Sequence, residues 1–580
     1  MVRFTIPYRG PDGSFPVSFK EQVVSQSKSP ITRTSVFRLG VLFLAAAAFG
    51  SVLGCGGTGR QPFDGSRHAP RTGAAKMPAL PAPPAAAAPA AKEPMTGEVK
   101  QNTEAYDHIV ENAFLAADRN PLSTFSIDVD TASYSNVRRF LLSEDRLPPP
   151  DAVRIEELIN YFPYRYPQPK DGHPVAFALD ITECPWNAKH YLVRIGLMAK
   201  RIDPNEMPPR NFVFLVDTSG SMNAPNRLPL LQQSLHLLVD QLNERDRVAI
   251  VAYAGSAGLV LPSTPGNRKE TIRNAIDRLQ AGGSTNGGEG ITLAYGIAEN
   301  SFVPDGLNRV ILGTDGDFNV GVTSQGDLVR LIEEKRKSGV YLTVLGFGMG
   351  NLKDSMMEKL SHHGNGHYAY IDSEAEARKV FIEQGAALVT VAKDVKLQIE
   401  FNPQRVGAYR LIGYEDRLLQ AHEFNDDKKD AGDMGSGHTV TALYEIIPPG
   451  QPLPGAKVDA LKYQQSPIPT KAADNGEWLT VKLRYKDPDA ETSKLLSKSL
   501  TGAARALSQM PQDFRFASAV ASFGMLLRNS EYRGTATYAS VRKLAASAVG
   551  ADRNSHRAEF LELVDAAQRL DLRAAAKRGD

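Results

Sequence analysis

Three short segments of the sequence carry oxygen-bearing side chains that could hold a metal ion. Residues 217–221 read Asp-Thr-Ser-Gly-Ser and offer one carboxylate and two hydroxyls at alternate positions. The Gly-rich residues 282–288 supply Thr285, and Asp315 lies in Thr-Asp-Gly-Asp. Hard oxygen ligands of this kind suit Mg²⁺ or Mn²⁺. The segments predict one divalent-metal site with five contributing side chains, those of Asp217, Ser219, Ser221, Thr285 and Asp315.

Two of these segments directly follow strand-like runs. Between residues 211 and 384, five mostly apolar strand-like runs alternate with six helical runs. Continuous apolar runs are expected where helices cover both faces of a sheet. Ligands of open α/β sheets bind outside the carboxyl ends of the strands. We therefore predict a doubly wound α/β domain over residues 206–390, with the metal site at that edge.

Strand patterns crowd both borders of this domain. They cover residues 175–183 and 190–197 before it, and several runs within residues 391–490 after it. A small sheet with one bare face is marginal alone. We therefore expect the N-terminal α/β region, residues 102–205, and the β-rich residues 391–490 to pair into one sandwich-like unit. The α/β domain would be an insertion in it, and residues 491–580 are predicted to be helical.

The N-terminus has the pattern of an export signal. Basic residues precede an uncharged apolar run, residues 39–53, which is short for a membrane span and suits a signal peptide. The following Gly54-Cys55 resembles the lipobox of bacterial lipoproteins, in which the cysteine is acylated. The resemblance implies a signal peptide over residues 1–55 and a lipid on Cys55. A plain signal peptide or a short anchor helix is the alternative.

Residues 56–101 are rich in Pro, Ala and Gly and cannot bury a core, so we predict a disordered tether. Gly56 stands where an Asp would favour the inner membrane in lipoprotein sorting, so the lipoprotein resemblance implies the outer membrane or the cell surface. We expect the inserted domain to hold its metal face away from this tether.

The three oxygen-bearing segments, taken in order, resemble the metal-ion-dependent adhesion site of von Willebrand factor A domains. That resemblance implies a Rossmann-like fold, one Mg²⁺ or Mn²⁺ ion, and a protein ligand that offers an acidic side chain to the metal. It further implies that the hydroxyls of Ser219, Ser221 and Thr285 bind the ion directly, whereas Asp217 and Asp315 act largely through water. Residues 120–134, 154–162, 409–415 and 437–445 are similar to YfbK-like bacterial surface proteins.

The side chains expected at the site favour binding of a partner protein over catalysis. Metal-dependent hydrolysis also needs a general base or a nucleophile beside the ion. The three segments contain no histidine, and we expect the nearby Glu289 to complement the dipole of its own helix. A net charge of +2 gives no electrostatic case for nucleic acid. We predict a non-enzymatic, metal-dependent adhesion protein of the cell envelope, with an envelope hydrolase or an assembly or regulatory factor of a metal-dependent complex as the alternative.

Overall fold

The computed structural model describes residue 104 and residues 106–170, 172–284, 287–316, 325–350, 352–454 and 468–579. The predicted signal peptide, Cys55 and the predicted tether lie outside the described residues, and so does Thr285.

The strands fall into three sheets. They are β1 Leu115–Ala116, β2 Leu122–Ser126, β3 Val175–Glu183, β4 Tyr191–Ala199, β5 Arg210–Asp217, β6 Arg247–Tyr253, β7 Ala257–Pro265, β8 Leu307–Thr314, β9 Tyr341–Phe347, β10 Tyr368–Ile371, β11 Thr390–Phe401, β12 Ala408–Ile412, β13 Gly432–Gly435, β14 Thr439–Ile447, β15 Leu479–Lys486 and β16 Lys494–Leu500.

The α-helices lie mostly in the α/β domain and at the C-terminus. They are α1 Ala132–Arg138, α2 Ile155–Asn160, α3 Leu228–Asp240, α4 Lys269–Asp277, α5 Gly287–Asn300, α6 Gln325–Lys335, α7 Asp354–His363, α8 Glu374–Arg378, α9 Gln512–Leu527, α10 Tyr538–Ala546 and α11 His556–Gly579. In the part of the chain that the structure describes, no helix combines the length and apolarity needed to cross a bilayer.

The predicted α/β domain is confirmed. Its sheet has the strand order β10-β9-β8-β5-β6-β7, and all neighbouring pairs are parallel except β6 and β7. Side chains of the central strand β5 alternate between two apolar cores. Phe212, Phe214 and Val216 belong to one core, and Val213 and Leu215 to the other. Helices therefore cover both faces, as the continuous apolar runs predict.

The two flanks of this domain form one β-sandwich. One sheet has the order β1-β12-β14-β4-β3, and the other is β13-β11-β15-β16 with β2 also paired to β11. Strand β4, from the N-terminal flank, pairs antiparallel with β14, from the C-terminal flank. Side chains of both sheets, among them Ile195 and Ile399, share one buried core. The backbone pairing between flanks that an insertion requires is therefore present.

The two ends of the inserted domain meet at a single turn. The Gly437 N–H donates to the carbonyl of Lys200 (3.0 Å) and the Ser436 N–H donates to the carbonyl of Val389 (2.8 Å). The Ser436 hydroxyl also accepts from the N–H of Ile202 (2.8 Å). Because the chain leaves the sandwich and returns to it at this turn, the α/β domain can be inserted without disturbing the sandwich.

The C-terminal region is mostly helical, with one difference from the prediction. Helices α9, α10 and α11 pack with α2 in an apolar core that also includes Leu443 of β14. Residues Lys494–Leu500, however, form strand β16, which pairs antiparallel with β15. The sandwich therefore continues to Leu500, beyond the predicted boundary.

Buried ion pairs fasten the N-terminal flank to the inserted domain. Arg154, just before α2, contacts Glu157 of α2 and Asp354 of α7. Its Nη1 lies 2.5 Å from the Asp354 carboxylate. Arg138 of α1 binds Asp372 and Glu376, next to β10. These arginines are buried, and each satisfies carboxylates from another segment. Removing one partner would leave a buried charge uncompensated, which costs roughly 3–5 kcal/mol.

Candidate metal site

Asp217 ends the central strand of the α/β sheet and is fully buried. Its Oδ1 accepts a hydrogen bond from the N–H of Ser219 (2.9 Å), and its Oδ2 accepts from the Thr314 hydroxyl (3.0 Å). Burial raises the pKa of this carboxyl and the neighbouring Asp315 adds to the effect, while the hydrogen bonds from Ser219 and Thr314 oppose it. A positive ion beside Asp217 would relieve the cost of its burial.

The hydroxyls of Ser219 and Ser221 converge just beyond Asp217. Their Oγ atoms lie 3.0 Å apart. Adjacent ligands of an octahedral Mg²⁺ ion, each about 2.1 Å from the metal, are separated by about 3 Å. The two hydroxyls thus have the spacing that one edge of such a coordination shell requires. By this test, the donor set fits the predicted ion.

Main-chain hydrogen bonds hold the start of the Gly-rich segment against this loop. The Gly220 N–H donates to the Gly283 carbonyl (3.0 Å), and the Gly282 N–H donates to the Thr218 carbonyl (2.7 Å). Gly283 has φ of +88°, a left-handed conformation that glycine adopts without strain. The segment that carries Thr285 therefore begins at the site, although Thr285 itself lies outside the described residues.

Asp315 directly follows β8, the strand next to β5, and is also buried. The hydroxyl of its neighbour Thr314 joins the two strand ends by donating to Asp217 and accepting from the Gly316 N–H (3.1 Å). The structure thus brings Asp217, Ser219, Ser221 and Asp315 to one edge of the sheet.

Arg227 is a site residue that the sequence analysis missed. It immediately precedes α3, and its Nη1 donates to the Asp315 carboxylate and to the Ser221 carbonyl, both at 2.6 Å. Its Nη2 donates to the carbonyl of Met349, in the loop after β9 (2.7 Å). The sequence signal was slight, since a single arginine before a helix is usually solvated.

The site offers oxygen ligands but little for acid–base catalysis. In the described part of the chain, no group of three or more His, Cys, Asp or Glu side chains is arranged to hold a metal ion. Glu289 lies in the first turn of α5, as predicted, where a carboxylate complements the helix dipole.

Glu104, at the start of the described residues, lies beside the loops of the candidate site, and the tether that we expected to lie away from the metal face is outside the described residues. The first described residue is Glu104, and its Oε1 accepts a hydrogen bond from the N–H of Gly350 (2.7 Å). Gly350 follows Met349, whose carbonyl binds Arg227 of the metal site. Arg139 of the N-terminal flank holds Glu104 there with two hydrogen bonds. Glu104 thus lies beside the loop whose Met349 carbonyl binds Arg227.

Three family models match consecutive parts of the chain. A model described as von Willebrand factor matches residues 100–194, and the von Willebrand factor type A domain matches residues 211–384. A third, described as uncharacterized protein YfbK, C-terminal, matches residues 386–570. The boundaries of the second match agree with those of the inserted α/β domain.

Individual proteins are similar to all or part of this chain. The chain is 44% identical over 487 residues to the Escherichia coli (strain K12) protein YfbK, covering 82% of this chain and 83% of that protein. Human inter-alpha-trypsin inhibitor heavy chain H4 is 27% identical over 188 residues, which cover 31% of this chain and 19% of the human protein. A solved von Willebrand factor type A protein from Catenulispora acidiphila is 17% identical, with a TM-score of 0.37, over 65% of this chain and 88% of that chain.

Proposed function

Because the chain belongs to the YfbK family and contains a von Willebrand factor type A domain, we propose that it is a cell-envelope protein that binds a partner protein through a divalent metal ion. Domains of this type typically mediate protein–protein interactions. The observation that carries the proposal is the pair of hydroxyls of Ser219 and Ser221, 3.0 Å apart beside the buried carboxylate of Asp217.

In this proposal Ser219, Ser221 and Thr285 would hold one Mg²⁺ or Mn²⁺ ion directly, and Asp217 and Asp315 would support it through water. The bound ion supplies a positive charge and a coordination position that an acidic side chain of the partner can fill. The chain's own residues orient the hydroxyls: the Ser219 N–H fixes the Asp217 carboxylate, and Gly283 fixes the loop that contains Ser221. A carboxylate bound to a metal is a strong, directional contact.

Partner capture tests the proposal. Protein lacking residues 1–55, incubated with envelope extract, should retain a partner in Mg²⁺ and lose it in EDTA. Thr285→Ala should reduce retention by at least about tenfold, as expected when a metal site is perturbed. Thr292→Ala is the matched control, because the exposed Thr292 hydroxyl donates only to the Gly288 carbonyl of its own helix.

Two results would contradict this function. Equal retention in Mg²⁺ and EDTA would show that the metal is not needed for partner binding. Metal-dependent turnover of an ester, phosphate or peptide reporter, lost in Asp217→Ala, would instead favour an envelope hydrolase.

The envelope location rests on Cys55, and we propose that this cysteine is lipidated. Expressed in a Gram-negative host, the full chain should fractionate with the outer membrane, and Cys55→Ser should move it to the soluble fraction. Mass spectrometry of the mature N-terminus should show acylated Cys55 as the first residue. Cys184→Ser is the control cysteine variant, since Cys184 is buried in the folded body. An unmodified Cys55 would exclude the lipid anchor.

A further inference from the structure

Arg227 links three of the loops that form the metal edge of the sheet. It binds the Ser221 carbonyl in the loop after β5, the Asp315 carboxylate after β8 and the Met349 carbonyl after β9. A large movement of Ser221 or of Asp315 would break its hydrogen bond to Arg227. Its guanidinium is thus a fixed part of the site.

The surrounding chain is shaped to admit this side chain. The Arg227 side chain is 13% exposed and that of Asp315 is fully buried. Gly348 lies against the arginine, and a Cβ added there would come within 2.3 Å of the Arg227 Nε. Gly348 also has φ of +73°, which favours glycine. A side chain at this position would require the Arg227 side chain to shift.

The positive charge of Arg227 changes the net charge of the metal-loaded site. Asp217 and Asp315 contribute two negative charges, which a divalent ion would neutralise. Arg227 adds one positive charge, so the loaded site carries a net charge of about +1 from these groups. Charges in a partly buried site at a protein surface interact strongly over several ångströms.

From this geometry we infer that Arg227 sets the ligand preference of the metal site. Its charge lowers the affinity of the site for the metal ion and raises the affinity of the metal-loaded site for an acidic ligand. The inference rests on the proposed function. Arg227 occupies part of the Asp315 carboxylate and repels a cation, both of which lower metal affinity. Once the ion is bound, the same positive charge remains to attract a carboxylate. Arg227 is therefore a specificity-determining residue that acts beside the metal.

A purely structural role predicts something different. A residue that only held the loops in place would, when replaced, weaken binding of both metal and acidic ligand. The charge role predicts changes of opposite sign. The chain also offers a matched control: Arg210 pairs with Asp246 at the other end of β5, where the side chains are 17% and 0% exposed and their closest contact is 2.6 Å. Arg227 and Asp315 are likewise 2.6 Å apart.

The experiment compares Arg227→Gln, Arg227→Lys and Arg210→Gln in the folded chain without residues 1–55. Mn²⁺ is the metal probe, with its affinity measured by calorimetry. Acetate is the acidic probe, and its binding to the Mn²⁺-loaded protein is followed by the loss of water-proton relaxation as coordinated water is displaced. Arg227→Gln should bind Mn²⁺ about tenfold more tightly and acetate about tenfold more weakly. Arg227→Lys, which keeps the charge but loses the planar guanidinium, should show smaller changes than Arg227→Gln in both titrations, and Arg210→Gln should resemble the unaltered protein.

Each result has a distinct meaning. If the unaltered protein binds Mn²⁺ and Arg227→Gln binds it equally or less tightly, the charge role of Arg227 is overturned while the proposed function stands. If the unaltered protein binds no Mn²⁺, the proposed function fails and this inference fails with it. Circular dichroism must show that Arg227→Gln is folded. If it is not, Arg227→Met, which fills the same space without a charge, takes its place under the same criteria.

Discussion

Asp217→Ala should weaken binding of Mg²⁺ or Mn²⁺ about 100-fold or more, and Ser219→Ala should do the same. Asp217 orients the loop through its bond to the Ser219 N–H and joins it to Thr314. Removing the carboxylate therefore removes both a negative charge beside the ion and the support of one hydroxyl ligand. Calorimetry with each metal, on protein lacking residues 1–55, measures the effect.

Thermal unfolding provides a second measurement of the same change. A ligand present at 100 times its Kd stabilises the folded state by about 2.7 kcal/mol. The unaltered protein should gain such stability in Mg²⁺, whereas Asp217→Ala, if its affinity is about 100-fold weaker, should gain about 0.4 kcal/mol or less at the same concentration. Burial raises the pKa of Asp217, so its carboxylate is costly to bury without a cation. Asp217→Ala removes that burial cost but also the acceptor of the Ser219 and Thr314 hydrogen bonds, so the test is the difference in stability between Mg²⁺ and EDTA within each protein.

The control is Ser301→Ala, at the opposite end of β5, where the Ser301 hydroxyl donates to Asn211 and to the Ile297 carbonyl. This variant loses a hydrogen-bonded serine of the same domain without touching the metal edge. Its metal affinity should be unchanged. Unchanged metal affinity in Asp217→Ala would show that the assignment of the site is wrong.

The α/β domain could be predicted because the sequence patterns of its strands and helices lie within short segments of the chain. Central strands such as β5 and β8 are buried on both faces, so their sequences are continuous apolar runs. The polar site residues follow directly from those runs. In a parallel sheet, the carboxyl ends of all strands meet at one edge, so their order in the sequence was enough to place Asp217 and Asp315 together.

Strands β7 and β16 could not be predicted in the same way. Strand β7 is an exposed edge strand that contains glycine and two prolines, residues that are depleted in strands. Strand β16 reads Lys-Leu-Leu-Ser-Lys-Ser-Leu, without the alternation of a half-buried strand. Each forms because a neighbouring strand offers a ladder of hydrogen bonds, β6 in the first case and β15 in the second. Which strand lies beside β7 or β16 depends on the tertiary structure, and the local sequence does not reveal it.

Long-range contacts also explain what was missed at the site. Arg227 matters because it reaches Asp315 and Met349, 88 and 122 residues further along the chain. The position of Glu104 beside Gly350 depends on a contact across 246 residues. No spacing rule relates such positions. The order of the segments placed the candidate ligands at one edge of the sheet, whereas the contacts of Arg227 and Glu104 with that edge could be found only from the structure.

The insertion architecture predicts that the N-terminal flank cannot fold alone. A fragment of residues 102–203 should be unfolded in circular dichroism and rapidly digested by protease. Strand β4 lies between β3 and β14, so the fragment retains only one of its two neighbours. Val193, Ile195 and Leu197 of β4 would lose the core they share with the other sheet. Burial of three such side chains contributes roughly 5–9 kcal/mol, comparable to the whole stability of a typical domain.

Adding back the missing strands should restore the fold. A second fragment, residues 389–500, supplies β11 to β16, including the β14 partner of β4 and the β11 partner of β2. Mixing the two fragments should produce strand signal and protease resistance that neither shows alone. The control is residues 206–390, which should not rescue the first fragment, because the inserted domain contacts it through ion pairs such as Arg154 to Asp354 without completing its sheet. A 102–203 fragment that folds alone would instead indicate independent domains joined in series, and the pairing of β4 with β14 would then contribute little to the stability of that flank.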